Sequence, residues 1–164
     1  MNDSIAELEI RRIPWHILRE SSGFANQIPI ALLDMLDSST ADQAQEAYWR
    51  LENHVVVQGQ LFQVAAAVTS VFISSLLNER ENHVKIGVLE LLLQIVLAVP
   101  HQEEIKLGNF ELGENCKDKA REGSWLLYGE LIAGEKAAAY EILKVIEQNK
   151  SKLDYFSAHY LKEI

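Results

Sequence analysis

VVVQGQLFQVAAAVTSVFISSLLN, Val55–Asn78, contains no charged side chain. After the polar turn Asn78-Glu79-Arg80-Glu81-Asn82 comes HVKIGVLELLLQIVLAV, His83–Val99, with only Lys85 and Glu90 charged. In the first run Gly59 marks a break, and Gln63, Ala67, Ser70, Ser74 and Asn78 form one small, uncharged stripe. Leu61, Phe62, Val64, Val68, Val71, Phe72 and Leu76 fill the remainder of the helix surface. A helix without charge on any side is covered from several directions. The reading is therefore two consecutive central helices, over 60–78 and 83–99, with Pro100 stopping the second. The stretch from Val84 to Pro100 is too short and too polar for a membrane span, which needs about 20 apolar residues.

Amphipathic helices flank this centre on both sides. Asn26 is placed to cap a helix running to Asp37. Thr40 begins the next, with Gln43 at capping-box spacing. Ala44, Ala47, Tyr48, Leu51 and Val55 make its inner stripe; Asp42, Glu46 and Arg50 step along the other side, with Trp49 beside them. Beyond Pro100 the pattern predicts an inserted acidic loop over 101–114 and a long helix from Glu114 to Ala133 with Cys116, Ala120, Leu127 and Leu131 inward. Gly134 is a stop, and helices over Glu135–Gln148 and Ser151–Lys162 follow. Residues 1–25 show no clear period and read as an irregular N-terminal segment in a single α-helical domain of residues 1–164.

An apolar helix end followed by a short polar turn recurs at Leu36/Asp37–Thr40, Leu77/Asn78–Asn82 and Ile132/Ala133–Glu135. That spacing, roughly 40 to 55 residues, is the range of HEAT-like helical repeats. The expected fold is all-α: a HEAT-like stack of antiparallel helix pairs, an α-solenoid of seven or eight helices, with no sheet of more than two short strands.

The formal net charge is −9, and it is unevenly placed. Residues 31–60 carry Asp34, Asp37, Asp42, Glu46 and Glu52 against Arg50 alone; residues 101–116 carry Glu103, Glu104, Glu111 and Glu114 against Lys106. From residue 117 onward the charges cancel. Such acidic faces repel nucleic acid and attract basic partners. An exposed Trp among carboxylates is a typical protein-binding anchor. Asp42, Glu46, Trp49, Glu103, Glu104, Glu111 and Glu114 are thus the candidate partner-binding residues.

Catalytic constellations are weak. Glu79/His83 and His101/Glu104 have helical ligand spacing without a second pair, and surface His is the reading for both. The lone Cys116 lies on an inner stripe, which disfavours a nucleophile. No phosphate loop, dinucleotide fingerprint or His-Glu dipeptide occurs. The expectation is no enzyme activity, no metal, no cofactor, no nucleic acid and no membrane. The start, MNDSIAELEIRRIPW, lacks an apolar signal core, and one Cys suits a reducing compartment, so a cytoplasmic location is expected.

Two stretches, Tyr48–Gln60 (YWRLENHVVVQGQ) and Arg121–Leu131 (REGSWLLYGEL), resemble small bacterial HEAT-like proteins found beside polymorphic toxins, including immunity proteins of contact-dependent growth inhibition systems. The resemblance covers about residues 30–150. It implies a cytoplasmic protein that binds and blocks a cognate toxin domain, a nuclease above all, and it brings no catalytic residues. The alternative is a HEAT-like scaffold, or an assembly factor or enzyme of lyase type.

Overall fold

The uncharged run folds in two parts. The computed structural model describes residues 2–161. In it Val56–Val57 (β1) and Gln60–Leu61 (β2) pair as a tight hairpin, and the helix begins only at Ala65 and ends at Ser75 (α1). Gln58 and Gly59 form the two-residue loop, with φ of 51° and 76°. Two successive positive φ angles are the mark of a type I′ turn, which matches the twist of a hairpin. The expected helix start at 60 is corrected accordingly. The next helix, Asn82–Leu97 (α2), agrees closely with expectation. Val99–Pro100 (β3) then adds a third strand parallel to β2, so Pro100 follows the helix end as part of a sheet edge.

Helix α2 packs on α1 and on three further helices: Ala41–Val55 (α3), Leu112–Arg121 (α4) and Lys136–Ile146 (α5). Val84, Val88, Leu89, Leu91, Leu92, Ile95 and Val96 are all buried, spread around the helix, which is why hardly any charge is tolerated there. In α1 the buried hydroxyls of Thr69 and Ser75 donate to the carbonyls of Ala65 and Phe72, so they need no outside partner.

Regular elements begin at Ile5, which corrects the irregular segment expected over residues 1–25. Ser4 and Glu7 close a capping box on Ile5–Arg12 (α6). This helix buries Ala6 and Ile10 and packs on α1. Its Glu9 accepts a hydrogen bond of 2.5 Å from Ser70, on the small uncharged stripe. A 3₁₀ turn at Trp15–Ile17 and a hairpin of Arg19–Glu20 (β4) and Gly23–Phe24 (β5) follow. The helix after it, Ile28–Leu36 (α7), has Gln27 rather than Asn26 at its N-cap, and no side chain caps it.

Residues 101–114 are not a plain loop either. Gln102–Lys106 is a short helix (α8), with the His101 ring accepting from the Glu103 amide and Gly108 turning the chain at φ 87°. The helix expected over Glu114–Ala133 is two helices, α4 and Ser124–Ala133 (α9), broken at Gly123, which lies against Ile73 of α1. Gly134 is the C-cap of α9, as expected. Lys150–Tyr160 (α10) ends the described chain; the expected end at Lys162 lies outside the described residues.

The protein is mostly helical, with ten α-helices among the described residues instead of seven or eight. Short turns join α7 to α3 and α9 to α5, and each pair packs together. The five strands have two residues each, but one sheet holds three of them, one strand more than the sequence reading allowed. Among the described residues, no helix is long and apolar enough to cross a membrane.

Candidate functional site

Helix α3 presents the most distinctive surface. The Thr40 hydroxyl accepts from the Gln43 amide at 3.2 Å, and the Gln43 side chain accepts from the Ser39 amide at 2.9 Å. The reciprocal bond thus reaches one residue before the cap. Asp42 in the first turn complements the helix dipole. With Ala44, Ala47, Tyr48, Leu51 and Val55 buried, Asp42, Glu46, Trp49 and Asn53 form one exposed ridge. Trp49 is 56% exposed, large for an indole ring.

Beside this ridge run two open grooves. One, of about 300 Å³, is lined by Asp34, Asp37, Ser38, Gln43, Glu46 and Arg50. The other, of about 700 Å³, lies between Leu36–Ser39 and Glu79–Asn82. Both share Asp37 and Ser38, so they adjoin. Ser38 fastens the two turns together: its hydroxyl donates to the Met35 carbonyl, and its own carbonyl lies 2.9 Å from Nε2 of His83. His83 is therefore a half-buried bracket, not the solvated surface His expected.

Carboxylates dominate this edge. Arg50 donates to Asp34 at 2.7 Å, and Arg80 turns away toward the Ser75 carbonyl and the Ser4 hydroxyl. Among the described residues, no ion pair includes Asp37, Asp42, Glu46, Glu79 or Glu81. Unneutralised carboxylates around a concave surface focus a negative potential outward.

The four glutamates of the other segment are not part of this surface. Glu103 and Glu114 are exposed and pair with Lys106 and Lys117 within their own helices. Glu111 is exposed ahead of α4. Glu104 is 1% exposed and is held by Arg19 and Asn109. Burial opposes its charged form, but the hydrogen bonds and the guanidinium outweigh that and keep its carboxyl below the usual range. Glu104 is thus a structural ion, out of a partner's reach. The C-terminal end of α3 meets the β4–β5 hairpin through Ser21, which donates to the carbonyls of His54 and Asn53. Arg19, on the same hairpin, grips Glu104. Asp42 sits at the other end of α3, about 18 Å along the axis from His54. The two predicted acidic clusters therefore lie at opposite ends of one helix.

Sequence reasoning passed over Glu79 and Glu81 as binding residues. The signal for them was present: two successive helix pairs each end in a polar turn, and stacking the pairs puts those turns on one edge.

Other reactive groups are withdrawn. Cys116 is fully buried and its thiol is pushed up to about 12 by burial, against a weaker lowering contact with Thr69. Tyr48 is pushed up to about 12 by burial and the nearby Glu52 and Glu90, and its hydroxyl accepts from Gln94. Among the described residues no three His, Cys, Asp or Glu side chains converge to hold a metal ion.

The fold and this surface define a mostly helical domain with an open, acidic, Trp-flanked edge. No family model, no curated protein and no solved structure matches the chain.

Proposed function

We propose that this protein is an immunity protein: it binds a basic toxin domain, a nuclease above all, and neutralises it in the cytoplasm by covering its active site. One observation supports this most directly. Two adjoining grooves at the α7–α3 and α1–α2 turns carry Asp37, Glu46, Glu79 and Glu81, unpaired with any cation among the described residues, beside the exposed Trp49. A phosphate-cleaving enzyme must carry cations where its substrate lies. Carboxylates spaced along a groove can occupy those positions, and Trp49 supplies the apolar anchor that slows release.

The function as proposed is stoichiometric and needs no cofactor. Its HEAT-like component is supported by the α7–α3 and α9–α5 pairs, and it does not require a continuous solenoid.

The test is co-expression with the C-terminal fragment of a toxin encoded beside this gene. Restored growth together with a 1:1 complex in gel filtration is the expected result. Unrelieved killing with no complex would remove the immunity role.

A further inference from the structure

A more enclosed concavity lies between the β4–β5 hairpin and the helices α7 and α3. It has a volume of about 350 Å³, within the range of small-ligand sites. Its exposed apolar surface is the ring of Phe24, set over the buried Ala25, Ile28 and Ala31, and its polar wall is Gln27, Arg50 and His54.

The hydrogen-bond inventory of that wall is one-sided. Glu20, the acid at the rim, is consumed by its own hairpin. One oxygen accepts from the Ser22 amide and hydroxyl, at 3.1 and 2.9 Å. The other lies 2.5 Å from Nδ1 of His54 and accepts from the Ser21 hydroxyl. A carboxylate with four such contacts offers little to a ligand. Arg50, by contrast, uses one nitrogen, in its bond to Asp34. Its Nε is buried and has no partner. A guanidinium has five N–H donors; the enclosed Nε–H is out of a ligand's reach, and the terminal nitrogens keep donors beyond the one given to Asp34. The Asp34 pair is itself solvent-exposed on both sides and therefore weak.

We infer that this cavity binds a carboxylate carried on a short apolar stem. The stem would lie against the exposed ring of Phe24, and the carboxylate would take the terminal nitrogens of Arg50, in the bidentate geometry a guanidinium favours. The cavity shares Arg50 with the smaller acidic groove, and its ligand does not depend on the immunity role. Two sources fit the chemistry: a free small acid, or the C-terminal carboxylate of an apolar peptide.

The test uses the full chain and NMR titration with benzoate, its neutral analogue benzamide, and the tetrapeptide Gly-Ala-Val-Leu with a free or an amidated C-terminus. Benzoate should shift the amides of Ser22, Ala25 and Gln27 and the Arg50 side-chain Nε–H. Benzamide should bind at least ~10-fold more weakly, the typical loss for a charge-assisted bond. Arg50→Met should cause the same loss with the rest of the spectrum unchanged, and Arg50→Lys should recover only part of it. If the free-acid peptide outcompetes benzoate and its amide does not, the ligand is a chain terminus; if only benzoate binds, it is a small acid. Equal binding of benzoate and benzamide, full binding by the Arg50→Met variant, or shifts confined to other surfaces would each overturn the inference.

Discussion

Arg19 and Glu104, 85 positions apart in the chain, are joined by two parallel hydrogen bonds, Nε to Oε1 at 3.0 Å and the terminal nitrogen to Oε2 at 2.8 Å. The pair fixes the N-terminal hairpin onto α8. It also explains why one of four clustered glutamates is unavailable for binding. Arg19 remains 34% exposed, while the Glu104 side chain is almost wholly enclosed.

Removing either partner should therefore be asymmetric. Arg19→Met leaves a buried carboxylate uncompensated and should cost about 3 kcal/mol; Glu104→Gln keeps the shape and should cost about 2 kcal/mol. The carboxyl is held below its ordinary value of 4.5 in the folded state, so its stabilisation is present above that pH and disappears as pH falls through the folded value. Urea unfolding should show wild type ahead of Glu104→Gln at neutral pH, with the gap closing as pH falls below 4.5. A gap that widens on acidification would contradict this account of the pair.

Trp49→Ala should leave stability within about 0.5 kcal/mol of wild type, because the ring is exposed. Its effect should fall on complex lifetime: the dissociation rate from the cognate toxin should rise by about tenfold or more. Thermal unfolding and surface-bound dissociation kinetics on one preparation separate the two effects.

Helix α10 is held by aromatic contacts more than by burial. Leu153 is its one buried residue, and Nζ of Lys152 lies 3.9 Å from the Trp125 ring centre and 4.7 Å from that of Tyr128. Glu147 bonds the Tyr128 hydroxyl and faces Lys152. Replacing Lys152 with Gln should loosen α10 by about 1 kcal/mol, the scale of a partly desolvated cation–π contact. Hydrogen exchange should accelerate in residues 150–160 and stay unchanged in α2.

Two glycines should respond differently to Ala. A Cβ at Gly123 would collide with Cγ2 of Ile73, a buried β-branched side chain with little freedom to move. Gly123→Ala should cost about 1–3 kcal/mol. At Gly87 the obstacle is the terminal methyl of Met35, which can swing aside, and Ala gains up to about 1 kcal/mol of helix propensity, so the change should be near neutral. Chemical denaturation of the two variants is a direct comparison.

The helices and their inner faces were legible because a periodic apolar stripe is a local signal. Tyr48, Leu51 and Val55 were placed inward from spacing alone, and all three are buried. The hairpins were not legible. Two-residue strands carry no period, and their backbone bonds, such as Val64 to Arg19 and Ser21 to His54, depend on distant chain. Gly123 broke a helix that periodicity carried through, because its constraint is contact with α1 and not propensity. Glu104 looked like its neighbours Glu103 and Glu111 because charge counts cannot tell a solvated carboxylate from one with a guanidinium 85 residues away. For the same reason the acidic surface was only half visible: Asp42, Glu46 and Trp49 share a helix, while Asp37, Glu79 and Glu81 meet only through folding.

The most direct measurement is the association rate of the cognate toxin fragment with wild type and with the triple variant Asp37→Lys, Glu79→Lys, Glu81→Lys, over a range of ionic strength. If the groove steers a basic partner, the wild-type rate falls steeply with salt, and the variant associates at least ~10-fold more slowly with a flattened dependence. Equal rates and equal salt dependence for the two proteins would place binding on another surface and contradict the account.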